Sequence, residues 1–110
     1  MKTTISISQD FNNAPAGRFE SDGEFSGESF RDKFLIPKIN DKNVSKIIIN
    51  LDNLDGVGSS FWEEAFGGLI RVGGLPLNTI TEKIDFICND DTTIIPLIKK
   101  FLNKANEESK

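Results

Sequence analysis

The stretch that decides the fold runs from Lys46 to Arg71 and reads KIIINLDNLDGVGSSFWEEAFGGLIR. Its first seven residues hold three consecutive isoleucines with little polar alternation, which is typical of a strand covered on both faces in a parallel sheet. The part from Ser60 onward has helical periodicity, because its large apolar residues share one half of a helix with Ala65. A glycine-containing loop, residues 56–58, joins the two. The stretch therefore predicts a strand–loop–helix unit of an α/β domain.

Two adjacent glycines, Gly67 and Gly68, interrupt this predicted helix, although each costs about 0.5–1 kcal/mol relative to alanine. On a helical wheel a narrow stripe lies opposite the apolar half, and it consists of Ser60, Glu64, Gly67 and Arg71, with Gly68 beside it. We interpret this stripe as a surface that another protein approaches closely. The alternative is that the glycines let the last helix or the sheet of the same chain pack tightly, and burial of both would decide for it.

The remaining segments predict an α/β domain with a mixed, largely parallel sheet of about four strands and three main helices. The predicted strands are residues 3–8, 18–20, 46–52 and 83–88, of which the first two form a hairpin-like pair. A helix begins at Ser26 or Ser29 and either ends near Leu35 or bends at Pro37. Residues 72–81 are predicted to be a connector.

The last helix is predicted to begin after Thr93, which places Pro96 at its third position, where no backbone donor is needed. Residues 1–103 are predicted to form a single domain. Residues 104–110 are polar and are predicted to be a tail that frays.

Composition limits the classes of function. The chain has 110 residues, a net charge of −4 and no long basic run, which predicts one domain that does not bind nucleic acid. It contains no histidine, so Ser-His-Asp catalysis and histidine-containing zinc sites are excluded. The adjacent Glu63 and Glu64 point about 100° apart and do not form an acid–base pair. We expect a non-enzymatic protein without metal or cofactor.

Two further features bear on the compartment. Cys88 is the single cysteine, so no intrachain disulfide can form, and its apolar surroundings predict a small buried side chain. No apolar run approaches 18 residues, and the first residues lack the apolar segment of a signal peptide. We expect a cytoplasmic protein that does not associate with membranes.

The loop before the predicted helix allows several interpretations. Gly56 and Gly58 have part of the spacing of a dinucleotide-binding loop, but the third glycine of that motif is absent. Ser60 and Glu63 have the spacing of a capping box, which is a structural role. A functional role for Ser60 is phosphorylation, since free backbone donors and the helix dipole would stabilise a phosphate there.

Three segments resemble a bacterial family, the STAS-like domain of unknown function: residues 17–23, 26–31 and 59–69. In addition, the strand leading to a serine-headed helix, residues 50–61, resembles the central motif of STAS domains such as the anti-sigma-factor antagonists. In those antagonists the loop reads Asp-Ser-Ser-Gly, and a partner anti-sigma kinase phosphorylates a serine. By this resemblance Ser60 matches the phosphoacceptor and Ser59 is the second candidate, whereas Gly58 replaces the aspartate and Phe61 replaces the glycine.

The resemblance implies a regulatory protein-binding module whose partner is an ATPase-fold anti-sigma or kinase-like protein. The predicted contact residues are Asp55, Gly56, Gly58, Glu64, Gly67, Gly68 and Arg71. Arg18, Asp22 and Gly23 have no counterpart in the antagonists, and they mark either a role particular to the STAS-like group or a turn held by a surface ion pair. The alternative function is a sensor of a nucleotide or anion that uses residues 56–60. A second copy of the chain is another candidate partner.

Overall fold

The computed structural model describes residues 1–109. Three parallel strands form one sheet in the order β1 (Lys2–Ser6), β2 (Lys46–Asn50) and β3 (Ile84–Ile87). The register places Ile5, Ile49 and Phe86 side by side across the sheet. The α/β class and the parallel pairing are as predicted, but the described residues contain three strands instead of about four.

The helices cover one face of the sheet, not both as predicted. Ile47 and Ile49 of β2 are fully buried on the helix side. On the other side Ile48 is half-buried and lies outside the apolar core, between Thr4 and Asp85, which are both exposed. The polar residues that alternate through the outer strands fit this arrangement, because they provide a face that water can solvate.

The missing strand is residues 18–20. This segment is a loop that leads into a short 3₁₀ turn, Glu20–Asp22. The Asp22 carboxylate accepts the backbone N–H groups of Arg18 (3.1 Å) and Phe19 (2.9 Å). Because those donors are used locally, the segment has none to offer a neighbouring strand.

The first long helix, α1, occupies residues 27–39 as three consecutive segments, Gly27–Phe30, Arg31–Leu35 and Ile36–Ile39, the middle one a π-helical turn. Ser26 caps it, and its Oγ accepts the N–H of Ser29 at 3.2 Å. The helix continues through Pro37. The π-helical turn just before the proline changes the backbone pairing and accommodates the missing donor.

The second long helix, α2, occupies residues 59–71 as Ser59–Trp62, Glu63–Gly67 and Gly68–Arg71, again with a central π-helical turn. The predicted apolar half is confirmed, since Phe61, Trp62, Ala65, Phe66, Leu69 and Ile70 are all buried. They pack in one core with the aromatic rings of α1; Phe30 and Phe61 have centroids 6.1 Å apart.

Two further helices complete the chain. Helix α3 (Leu77–Lys83) lies where a connector was predicted, and it buries Ile80. Helix α4 (Ile94–Glu108) begins after Thr93 with Pro96 at its third position, as predicted. It continues through the segment predicted to be a fraying tail, because Ala105 is buried and anchors its last turns.

Candidate functional site

The N-terminal end of α2 is an open surface at the carboxyl end of β2. Asp55, Gly56, Gly58 and Ser59 are exposed, and Ser60 is half-buried. A Cβ atom placed at Gly58 would meet no atom within 4 Å. The predicted capping box is wrong: the helix begins at Ser59, Gly58 is the N-cap, and no side chain caps the helix.

The predicted exposed stripe along α2 is interrupted. Glu64, Gly67 and Gly68 are buried, whereas Ser60 is half-buried and Arg71 is exposed. A Cβ atom at Gly68 would lie 2.5 Å from Nη1 of Arg31 and 3.2 Å from Oε2 of Glu64. The expectation that the glycines leave room for a partner is therefore corrected, because side chains of the same chain occupy that room.

The side chain beside Gly68 belongs to a buried ion pair. Nη1 of Arg31, on α1, donates to Oε2 of Glu64, on α2, at 2.5 Å, and the two side chains are 3% and 4% exposed. The same nitrogen donates to the Glu64 carbonyl at 3.3 Å. Burial lowers the pKa of Arg31, but its hydrogen bonds to Asp32 and Glu64 outweigh burial and raise it. Arg31 therefore stays charged and ties the two helices together.

A second layer of this network reaches the surface at Glu63. Arg71 donates to both carboxylate oxygens of Glu63, at 2.7 Å and 3.1 Å, and Nη1 of Arg18 donates to the same carboxylate. Both arginines also contact Oε1 of Glu64, at 3.4 Å from Arg18 and 3.2 Å from Arg71. Burial raises the pKa of Glu63, but the hydrogen bonds from Arg71 and Arg18 outweigh it and hold that pKa below its usual value.

The loop that carries Arg18 is built to aim that side chain at α2. Gly17 has a φ of +89°, a left-handed conformation that favours glycine, and its carbonyl accepts the N–H of Gly27 at 3.0 Å. Asp22 tightens the turn through the backbone of Arg18, and Gly23 closes it by donating to the Glu20 carbonyl at 3.1 Å. The surface ion pair of Arg18 forms with Glu63 of α2, whereas the turn itself is held by the hydrogen bonds of the Asp22 carboxylate to the backbone.

A separate polar cluster lies at the carboxyl ends of β2 and β3. One ligand atom each from Asp52, Cys88 and Asp90 falls within 4.8 Å of the others. The Asp52 carboxylate is already used, because it accepts the backbone N–H groups of Asn89 (2.6 Å) and Asp90 (3.1 Å), and the Asn89 bond is the main cause of its lowered pKa. Burial raises the pKa of the half-buried Cys88 thiol, which disfavours the thiolate form. This cluster ties two loops together.

Two residues at the centre of the network were missed from the sequence. Gly27 lets α1 approach α2 closely, since a Cβ atom there would lie 2.6 Å from the Phe61 carbonyl oxygen. Arg31 follows Gly27 by four residues and precedes Leu35 by four, so all three share one face of α1. Leu35 is fully buried. That spacing predicts that Arg31 lies on the buried face of α1, where a charged side chain requires a carboxylate partner.

The family model described as STAS-like domain of unknown function (DUF4325) matches residues 26–93. The chain belongs to this family. The matched residues of this STAS-like domain include both members of the buried ion pair and the whole of α2, whereas the Arg18 loop and all of α4 lie outside the match. No curated protein and no solved structure matches the chain significantly.

Within residues 1–109, none of the helices combines the length and the apolar character that crossing a membrane requires.

Proposed function

We propose that this STAS-like domain is a non-enzymatic regulatory module that binds another protein through the exposed loop at residues 55–60 and the adjacent Arg71. The buried residues Glu64, Gly67 and Gly68 are removed from the proposed contact surface. Glu64 binds Arg31 behind this surface, and Gly67 and Gly68 leave room for the side chains of Glu63 and Arg31. By resemblance to the antagonists, an ATPase-fold anti-sigma or kinase-like protein is the candidate partner.

The observation that carries this proposal is the open space around Gly58. Most of the remaining turns of α2 are buried, whereas Asp55, Gly56, Gly58 and Ser59 are exposed and the space beside Gly56 and Gly58 is open. An exposed loop held at a rigid helix end is a common place for binding residues. A small ligand would instead favour a concave site enclosed by residues 56–60. Gly56 and Gly58 are exposed, and the cleft that Ser59 lines is formed mainly by residues outside this loop.

The proposed switch is phosphorylation at the start of α2. Ser59 is exposed and Ser60 is half-buried, and neither serves as the cap of the helix. A phosphate adds roughly −1.5 to −2 charges and three strong acceptors. At this place it would alter both the shape and the charge of the surface offered to a partner.

The test measures affinity for a candidate ATPase-fold partner by titration calorimetry. Gly58→Gln places a bulky neutral side chain on the open surface, and we expect it to weaken binding at least tenfold with stability changed by less than about 0.5 kcal/mol. The matched control is Asn43→Gln, at the opposite end of β2, which should bind like the wild type.

Ser59→Asp and Ser60→Asp test the switch, with the two alanine variants as controls for loss of the hydroxyl. We expect an aspartate, but not an alanine, to lower the affinity. Equal binding by Gly58→Gln and Asn43→Gln would overturn the loop as the contact surface. A thermal shift with nucleotides alone, without any protein partner, would favour the sensor function. Dimers in sedimentation that Gly58→Gln dissociates would make a second copy the partner.

A further inference from the structure

A cleft of about 390 Å³ runs between α2 and α4 beside the proposed loop surface. On the α2 side it is lined by Ser59, Glu63 and Arg71, with Arg18 at one end. On the α4 side it is lined by Phe101, Lys104 and Glu108. Three cationic side chains thus share the cleft with two carboxylates.

The two arginines are held in place before any ligand arrives, because both bind the Glu63 carboxylate. Their side chains are still 36% and 39% exposed. Arg18 uses only Nη1 in its contacts with Glu63 and Glu64, so Nε and Nη2 remain without a partner in the described residues. A guanidinium edge of this kind matches a carboxylate or phosphate.

The charge on α4 extends the cationic character of the cleft. Helix α4 carries Lys99, Lys100 and Lys104 and ends with Glu107 and Glu108, so its net charge is +1 in a chain whose net charge is −4. A second groove, on the outer side of α4, meets the cleft at Lys104 and is also lined by Lys99, Lys100 and Glu107. An anionic ligand would therefore be attracted to this face of an otherwise acidic protein.

Apolar groups beside the cations narrow the chemistry of the ligand. Phe101 is half-buried in the cleft wall, and Phe19, next to Arg18, is 47% exposed. Glu63 and Glu108 in the same cleft oppose every anionic ligand, so a ligand with few charges is favoured over the continuous row of phosphates of a nucleic acid. A peptide with an acidic side chain next to an apolar one complements both parts of the surface.

We propose that the cleft between α2 and α4 binds an acidic peptide segment of a partner protein, with its anionic side chain held by Arg18, Arg71 and Lys104. This proposal rests on the proposed protein-binding function and adds the chemistry of the partner and the place where it docks. Ser59 lies in the same cleft, so a phosphate on Ser59 would compete with the peptide for these cations.

The experiment uses fluorescein-labelled peptides of seven residues in which leucine alternates with glutamate, phosphoserine or glutamine. Fluorescence anisotropy of the full chain should show the two anionic peptides binding at least tenfold more tightly than the glutamine peptide, and more weakly as salt increases. The stronger of the two identifies the preferred anion. Lys100→Glu combined with Lys104→Glu should weaken binding at least tenfold.

Lys33→Glu combined with Lys42→Glu is the matched control, because both lysines are exposed and line neither groove. This control should weaken binding less than threefold. The proposal is overturned by absence of binding to either anionic peptide, by equal binding of the glutamine peptide, by equal loss in the two double variants, or by tighter binding of a single-stranded oligonucleotide.

The two proposals fail separately. If a partner still binds the Lys100→Glu, Lys104→Glu double variant but no longer binds Gly58→Gln, the cleft proposal is overturned and the loop proposal stands. If a partner still binds Gly58→Gln but no longer binds the Lys100→Glu, Lys104→Glu double variant, the loop proposal is overturned and the cleft proposal stands. If Ser59→Asp binds the anionic peptides as tightly as the wild type does, the proposal that a phosphate on Ser59 competes with the peptide is overturned.

Discussion

The inner and outer sides of α2 use similar residues for different purposes. Toward α1, Gly68 and Glu64 lie against Arg31 in a dry contact between two helices. At the other extreme, Gly58 lies on the surface with nothing near the place of its missing side chain. A glycine in this segment therefore marks close approach in one place and open space in another, and only the surroundings tell them apart.

The ion pairs show the same contrast. The pair of Arg31 and Glu64 is almost fully removed from water, whereas the pairing of Glu63 with Arg18 and Arg71 is partly solvated. A buried pair that loses one member leaves an uncompensated charge, whereas an exposed pair contributes little. The difference divides α2 into a side that stabilises the fold and a side that water reaches.

The largest expected effect comes from removing the buried cation. Arg31→Met should lower the free energy of unfolding by about 3 kcal/mol, because the buried Glu64 loses its shortest ion pair and keeps only the longer contacts of its Oε1 with Arg18 and Arg71. Arg71→Met removes the exposed arginine of the same network and should cost about 0–1 kcal/mol. Urea denaturation of both variants measures the difference, and equal losses would show that the inner pair is not special.

The two adjacent glycines give a smaller and more local comparison. Gly68→Ala should cost about 1–3 kcal/mol, since the new methyl group collides with an Arg31 side chain that Glu64 and Asp32 hold in place. Gly67→Ala meets Oε2 of Glu63 at 2.7 Å, near the end of a partly exposed side chain. Alanine gains about 1 kcal/mol in helix propensity, which offsets the free-energy cost of moving the Glu63 side chain. The net effect of Gly67→Ala on the free energy of unfolding should therefore be within about 1 kcal/mol of zero.

Thermal and urea unfolding of the two alanine variants, side by side, test this comparison. Both variants carry the same substitution at neighbouring positions, so differences in intrinsic helix propensity cancel. A Gly67→Ala protein less stable than Gly68→Ala would contradict the assignment of Arg31 as the group that requires a glycine.

Much of the fold could be predicted because its signals are local. The apolar half of α2 and the position of Pro96 in α4 follow from the spacing of a few neighbouring residues, and both are confirmed. The predictions for residues 18–20, as a strand, and 77–81, as a connector, were wrong because these short segments lack periodicity. A local contact decides in the first segment, where the Asp22 carboxylate binds the backbone, and a tertiary contact decides in the second, where Ile80 is buried.

The site could be predicted only in part, for a related reason. The sequence indicates correctly that something comes close to Gly67 and Gly68, since glycines in a helix have a cost. It does not indicate what comes close, because Arg31 is 33 residues from Glu64 along the chain and its contact is made only when α1 and α2 pack. The cleft likewise combines Arg18 and Lys104, which no local pattern connects.

The smallest expected effect concerns pH and belongs to the outer pair. The pKa of Glu63 is lower in the folded protein than its ordinary value of 4.5, so its stabilising contribution is present above that pH and is lost as the pH falls through the folded-state pKa. Wild-type protein should lose unfolding free energy on acidification partly because Glu63 becomes protonated. Glu63→Gln should lack this part of the loss, which is on the order of 1 kcal/mol or less.

Unfolding free energies measured from pH 6 down to about pH 3 test this, since the window must extend below the ordinary glutamate pKa. Asp85→Asn is the control, because its carboxylate is 58% exposed and lies 3.7 Å from Lys46, away from the network. If the curves of Glu63→Gln and the wild type remain parallel in this window, Arg18 and Arg71 do not hold the carboxylate in its charged form. Arg18 and Arg71 would then not be paired with Glu63 in the folded protein, and Glu63 would not hold the cleft in a shape ready for a ligand.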